Sequence, residues 1–518
     1  MQFYQEPIEF EKQPGLGSPV WRGRAADGKD LWNFATAVFR NGGRFAALWG
    51  SDERQRDGGF RLHCVFGIDN GHAWLSLDLP ADNPVYPDLA GLFPAANRMQ
   101  RAARDMVGIA SDGPDQRPWL RHGGWPADWF PLRHDAKAGD FPNLPSDYDF
   151  VRVGGEGAHE IPVGPIHAGI IEPGHFRFTV VGEKVLRLEQ RLGYQHKGVE
   201  KLMMGMDVTG AARIVGRISG DSTCAYAWAY ASAVEAACGT TPPPRALALR
   251  AIMLERERIA NHLGDLGALG NDAALAFGLT QFMRLKEDWL RLNAEAFGHR
   301  FMMDRIVPGG VAVDLDSAAI DRLVEQCYAL APEVSALRKI YVEHAGLMDR
   351  FLTTGPISGD LARELSLTGM AARAAGLLLD GRAYRQGYTP PPPYAALGVR
   401  PYVDERGDVA ARAAVRFGEI LESLRLIREL AVALPSGDIR AVLTPIAGSS
   451  GLGVVEAWRG ELLVGVQFDA QGKLARVHPH DPSWQAWPAL EHAVLNDIVP
   501  DFPLINKSFN LSYSGADL

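Results

Sequence analysis

Residues 242–274 read PPPRALALRAIMLERERIANHLGDLGALGNDAA. Proline suits the first turn of a helix, where its missing N–H has no partner to lose, so the three prolines mark a helix entrance. Residues 245–266 then read as one long helix. Glu255, His262 and Leu266 fall on or near one face, and Arg258 lies one turn from His262. Charge pairs buried on such a helix are more often structural than catalytic. A second long helix is predicted over 411–434, where Phe417, Ile420, Leu424, Ile427, Ala431 and Leu434 alternate spacings of three and four and form one stripe.

Working outward, the chain is mostly helical from Val163 onward. A hairpin is predicted from 176–181 and 185–188, turning at Gly182-Glu183. Pro390 to Pro393 form an extended loop, and short strands return between Gly453 and Val466. Ahead of the helical region, 20–135 reads as a small α+β unit. It has an amphipathic helix over 31–39 and strands over 44–49, 61–66 and 74–79. Residues 136–162 are rich in Gly, Pro and Asp and read as a linker. The fold class is thus α+β: a small N-terminal α/β domain, then a mostly helical domain over 163–518. No internal repeat is present.

Composition narrows the function. The chain has 518 residues, with 53 Lys+Arg against 62 Asp+Glu and a net charge of −9. An acidic balance argues against broad nucleic-acid binding, which needs a cationic face. The four cysteines, Cys64, Cys224, Cys238 and Cys327, form no CxxC pair, so neither an iron–sulfur nor a structural zinc framework is expected. Such scarcity fits a reducing compartment. The longest apolar uncharged run, 222–234, is short of the ~20 residues a membrane span needs. A soluble protein, or one held at a membrane by partners, is expected.

Several segments could carry chemistry. Gly164-Pro-Ile-His167 and Glu172-Pro-Gly-His175-Phe-Arg177 place two imidazoles and a carboxylate within nine residues. Burial moves a carboxylate toward neutral pKa, so this is either a proton relay or a turn whose histidines only satisfy backbone groups. Tyr194-Gln-His196-Lys197-Gly198-Val199-Glu200-Lys201 reads as a helix start with Glu200 in the first turn. In 216–235, GRISGDSTCAYAWAYASAVE, a Gly-Asp-Ser turn feeds a small-residue helix suited to close packing. Gly451-Leu-Gly453 lacks the third glycine of a dinucleotide fingerprint. The tail from Asn510 to Asp517 is polar, as a frayed terminus would be.

Taken in order, these segments resemble one superfamily. It comprises the nickel-site large subunits of membrane-bound nickel–iron hydrogenases of the formate hydrogenlyase type and the quinone-site subunit of respiratory complex I. The carriers are GPIHAGIIEPGHFRF (164–178), GYQHKGVEKL (193–202), GRISGDSTCAYAWAYASAVE (216–235), LERERIANHLGDLGALGNDAA (254–274), RIVPGGV (305–311) and GVVEAWRGE (453–461), with the stretch from Val477 to Asp517. RAARDMVGIASDGPDQRPWL (101–120) and GWPADWFPLRHD (124–135) resemble the small complex I subunit fused to the large one in this branch. Residues before about 20 resemble nothing in the family. The resemblance implies a four-helix-bundle core with peripheral β elements.

The departures carry the most information. The resemblance places two pairs of nickel-ligand cysteines at 219, 222, 512 and 515, and here those positions hold Ser219, Ser222, Ser512 and Gly515. A serine hydroxyl is a poor ligand for soft nickel and glycine has no side chain, so no metal is expected. The tyrosine that hydrogen-bonds a quinone headgroup falls at Gly220, with His175, Asp221 and Tyr226 as substitutes. Ser219, Gly220, Asp221, Ser222, Ser512 and Gly515 are thus expected to line a metal pocket stripped of its ligands, or a quinone cavity. Glu172 matches the glutamate that passes protons in hydrogenases, and His167, His175, Arg177 and Glu200 are expected to work with it. Glu255, Arg258, His262, Asp265, Arg373 and Asp408 match charged positions of the superfamily.

What the resemblance implies is a subunit of a membrane-associated complex I-like or hydrogenase-like oxidoreductase. It would pass electrons from an iron–sulfur partner subunit to a quinone or other acceptor, with coupled proton transfer. The alternative is a redox-inert scaffold coupling proton or ion movement. Expected partners are that small subunit and integral proton- or ion-translocating subunits, at the cytoplasmic face of the inner membrane. Quinone is the implied ligand. The cluster belongs to the partner, as NADH:quinone oxidoreductase-like electron transport requires.

Overall fold

A computed structural model describes residues 8–137, 139, 141–142, 144, 148–167 and 171–518. The predicted long helix runs Pro244–Asp272. It is buried almost all round, as a central helix must be, and Thr223–Cys238, Ala276–Phe297 and Val409–Val432 pack against it. Ser317–Glu343 lies outside this bundle, against Val409–Val432.

The small residues of Thr223–Cys238 have a clear purpose. The strand Ser450–Glu456 lies directly on this helix, and a Cβ on Gly453 would meet Ala229 O at 1.9 Å. One on Gly451 would meet Ala233 O at 2.1 Å. The two close glycines permit strand-on-helix packing rather than phosphate binding. With Glu461–Phe468 and Leu474–His480 that strand forms an antiparallel sheet.

The N-terminal helix is Gly28–Arg40, and the three predicted strands are Arg44–Asp52, Phe60–Ile68 and Gly71–Leu79. Two more, Phe10–Lys12 and Val20–Ala25, extend the sheet to five. Val20–Ala25 is not legible in the sequence because Arg22, Gly23 and Arg24 hide its alternation. It runs parallel to Gly71–Leu79, while the other pairings are antiparallel. Trp49, Val65 and Trp74 on this sheet pack against Leu452, Val454 and Leu463, so the two sheets share a core.

The hairpin forms from His175–Val181 and Lys184–Arg191, and Ala158–Val163 adds a third strand from the end of the expected linker. The chain's end is not frayed. Tyr513–Asp517 is a buried helical turn, and Lys197 and Gly198 N–H both donate to Leu518 O. Gln195 N–H donates to Asp517 Oδ2 at 2.9 Å. The 193–198 segment therefore clasps the terminus.

Candidate functional site

Three chain segments converge on one cleft. The turn Gly220–Ser222 leads into the Thr223–Cys238 helix, residues 456–461 turn between two strands, and 510–515 arrive from the C-terminal end. Glu257 ties the first segment down. Its carboxyl accepts from the N–H groups of Cys224 at 2.6 Å and Ala225 at 3.1 Å, capping that helix. Burial raises Glu257 to about 8, with the nearby Asp221 adding to the effect.

The four positions where the family resemblance places cysteines lie together. Ser512 Oγ donates to Ser219 Oγ at 3.0 Å, and Gly515 N–H donates to Ser512 Oγ at 2.9 Å. Ser219 and Ser222 hydroxyls both donate to Asp221 Oδ1, at 2.7 and 3.3 Å. Arg459 meets Asp221 in a two-pronged pair at 2.5 and 3.0 Å and also donates to Ser222. Burial works against ionisation of Asp221, but Arg459 and the two serines hold its pKa at about 2.

A nickel–iron group does not fit this donor set. Three neutral hydroxyls replace thiolates, and they are already engaged with one another and with the Asp221–Arg459 pair. At the fourth position a Cβ on Gly515 would lie 2.7 Å from Asp481 Cγ. Asp481 in turn accepts the Tyr226 hydroxyl at 2.8 Å. Cys224 is no substitute ligand, because burial pushes its thiol well above its ordinary pKa. Among the described residues, no three His, Cys, Asp or Glu side chains form a metal-holding group.

What the cleft offers is a polar space of about 560 Å³. Ser219, Asp221 and Ser512 line it, with Lys197, Arg217 and Lys507. At Gly220 an added Cβ would meet no described residue within 4 Å, so a side chain could leave the backbone there into the cleft. Glu172 also lines the cleft, and its carboxylate accepts both the N–H and the hydroxyl of Ser514.

The other expected site residues lie elsewhere. His175 begins its strand and turns away. Its Nδ1 lies 3.3 Å from Gly164 O and its ring packs beside Phe150. His167 Nε2 lies 2.7 Å from Gly174 O. Arg177 pairs with Glu160 and covers the Phe150 ring. The loop histidines thus hold the 164–175 turn, and the expected cavity between Ser219, Ser512 and His175 lacks its histidine wall. Tyr226 is sequestered by Asp481. Glu200 is buried with Arg476 at 2.6 Å and His478 at 2.8 Å, away from the cleft.

Of the remaining charged positions, Asp408 caps the Val409–Val432 helix and Asp265 pairs with Arg416. Glu255, Arg258, His262 and Arg373 join one buried cluster. Arg459, Asp481 and Glu257 are the site residues that sequence reading passed over. All three sit inside segments that carried the resemblance, but only folding pairs Arg459 with 221, Asp481 with 515 and Glu257 with the backbone at 224–225.

Comparison with known proteins places the chain in a family. The family model for the 30 kDa subunit of respiratory-chain NADH dehydrogenase matches residues 27–142, and that for its 49 kDa subunit matches 265–448. Formate hydrogenlyase subunit 5 of Escherichia coli (strain K12) is 30% identical over 495 residues, covering 92% of this chain and 85% of the relative. The chain belongs to the formate hydrogenlyase subunit 5 family. Members and relatives are subunits of membrane-bound hydrogenases and complex I-like complexes. One, NADH-quinone oxidoreductase subunit 4 of Thermus thermophilus, is 31% identical over 54% of this chain and 67% of its own. The fold also matches a chain in the structure of an archaeal respiratory membrane complex, the membrane-bound sulfane sulfur reductase. There the TM-score is 0.65 at 23% identity, over 70% of this chain and 99% of that one. Among the described residues no helix is long and apolar enough to cross a membrane.

Proposed function

We propose that this chain is the peripheral catalytic-arm subunit of a membrane-associated oxidoreductase that works without a nickel–iron site. Electrons from an iron–sulfur partner subunit reach a quinone or another acceptor in the cleft, and Glu172 supplies or removes the accompanying proton. The partners are that small subunit and integral proton- or ion-translocating subunits, at the cytoplasmic face of the inner membrane. Residues 20–135 form the small-subunit module, 136–162 the linker and 163–518 the large-subunit module.

One observation carries this reading. Two of the four former ligand positions, Ser219 and Ser512, still line an open cleft with Gly220 and Asp221 and with Glu172 at its edge. Ser222 and Gly515 are buried behind it, Ser222 against Arg459 and Gly515 against Asp481. The cleft's convergent polar groups suit the polar end of a ligand. Lys197, 2.9 Å from Ile218 O, and Lys507, 3.5 Å from Asp265, keep further ammonium N–H groups for a carbonyl or an anion, in place of the histidine and tyrosine of a quinone site, while Arg217 is held by Asp304.

The second reading, a redox-inert coupling scaffold, draws support from the Asp221–Arg459 pair. It spans the cleft floor as a fixed dipole where a redox group would otherwise act. Purifying the intact complex from membranes and assaying reduction of quinone analogues separates the two. The first reading expects activity that falls at least tenfold in Glu172→Gln, the loss of a positioned proton carrier. Full activity in that variant removes Glu172 from the mechanism, and a complex lacking iron–sulfur clusters favours the scaffold.

A further inference from the structure

Behind the cleft lies a buried cluster with an odd charge. Glu255, Asp380, Glu419 and Glu456 face Arg258, Arg373 and Arg382, and all seven are at most 7% exposed. Arg373 reaches Glu419 at 2.7 Å and Glu456 at 2.8 Å. Arg382 reaches Glu255 at 2.9 Å and Asp380 at 2.7 Å. Arg258 bridges Glu255 and Glu419. Four carboxylates against three guanidiniums leave one negative charge without a counterion. Such a charge is costly in a buried setting, and a bound proton removes it.

The neighbouring pairs do not supply the missing cation. Asp265 has Arg416 and, at 3.5 Å, the partly exposed Lys507, whose charge lies at the cleft and not in the cluster; Glu235 has Arg250, and Glu461 has Arg44 and His72. His262 reaches Glu419 through Nε2 at 2.8 Å, but its buried Nδ1 has no acceptor among the described residues, as a neutral ring requires.

The hydrogen bonds single out one carboxyl. Glu419 accepts from Arg373, Arg258 and His262, and Glu255 from Arg382, Arg258, Ser423 and Tyr394. Asp380 takes a two-pronged bond from Arg382. Among the described residues, Glu456 has Arg373 on Oε1 alone, and its Oε2 accepts only the Gly381 N–H at 3.2 Å. Burial and the neighbouring Asp380 raise its pKa, and Arg373 and Arg258 oppose them.

Glu456 also has a way out. It lines a second cavity, of about 90 Å³, beneath residues 12–19, large enough for a few waters. Glu461, its cross-strand partner, lines the same cavity, as do Arg382, Tyr388 and the exposed Lys12. The covering segment is pinned at both ends: the Ser18 hydroxyl lies 3.3 Å from His72 Nδ1 and 3.4 Å from the Tyr388 hydroxyl, and Gln13 holds the other end. The Gln13 side chain makes both hydrogen bonds to the Leu452 backbone, each at 2.8 Å.

We propose that Glu456 is the proton-bearing group of this cluster and that it exchanges its proton with bulk water through the cavity beneath residues 12–19. This route is separate from Glu172, and it stands whether or not an acceptor binds in the cleft.

Infrared spectroscopy of the full-length chain in H₂O and D₂O tests it. At neutral pH one deuterium-sensitive carboxylic-acid band is expected to vanish in Glu456→Gln and to persist in Glu257→Gln and Asp517→Asn. A Glu456→Gln spectrum retaining every wild-type band overturns the assignment. Gln13→Ala, which leaves the cluster intact, is expected to speed deuterium uptake by that band about tenfold by freeing one end of the cover. If no wild-type band gains speed in Gln13→Ala, the route is wrong, and this arm needs no change at Glu456.

Discussion

Asp481 fills the space that a side chain at position 515 would need: a Cβ on Gly515 would stand 2.7 Å from both its Cγ and its Oδ2. The lost metal ligand is therefore an occupied position, held by a carboxylate that also accepts the Tyr226 hydroxyl.

Restoring cysteines alone is therefore predicted to fail. Gly515→Cys should destabilise the chain by ~1–3 kcal/mol through overpacking. The fourfold change to cysteine at 219, 222, 512 and 515 should bind no nickel while Asp481 remains. Thermal melts and metal analysis of the purified variants check this, and stoichiometric nickel would refute it.

Gly453→Ala probes the fold. Its Cβ would meet Ala229 O at 1.9 Å, a backbone atom that cannot swing aside. A loss of ~3 kcal/mol or more in urea unfolding is expected. An alanine tolerated within ~1 kcal/mol would mean that the strand and helix are not so closely apposed.

Acid should weaken the chain through Glu200. Burial opposes its ionisation, but Arg476 and His478 hold it at about 2, below the ordinary 4.5. A depressed carboxyl contributes stability that is complete above pH 4.5 and is lost as pH falls toward 2, up to ~3 kcal/mol. Glu200→Gln removes that contribution and leaves the buried Arg476 unpaired. At pH 7 it should cost ~3–5 kcal/mol, a deficit that shrinks in melts near pH 3. A constant deficit across that range would sink the assignment.

Asp517 has the opposite sign. Burial raises it to about 7 from 3.8, and the nearby Glu172 adds to the rise. The folded state then holds the proton more tightly, so stability declines as pH climbs from 4 to 7. Asp517→Asn keeps an acceptor for Gln195 N–H and removes the penalty. It should be neutral near pH 4 and stabilising by ~1–4 kcal/mol above pH 7, as read by denaturation at both values.

Much of the architecture was legible in order along the chain. The 245–266 and 411–434 helices and the 176–188 hairpin emerged because period and turn chemistry are local properties. The Val20–Ala25 strand was missed because alternation fails there, and pairing with Gly71–Leu79 overrides it. The paired glycines near 452 were visible, but their purpose depends on Ala229 and Ala233, more than two hundred positions away.

Read through the family resemblance, the sequence put oxygen or nothing at four positions where sulfur is expected, and its periodicity predicted a mostly helical body after Val163. Neither conclusion needs coordinates, since a hydroxyl cannot act as a thiolate wherever it sits. It took the folded chain to show that Arg459 neutralises Asp221, that Asp481 takes the place beside Gly515, and that His175 faces away from the cleft. Charge pairing and steric exclusion act through space over a few ångströms, and the groups concerned meet only once the chain has folded.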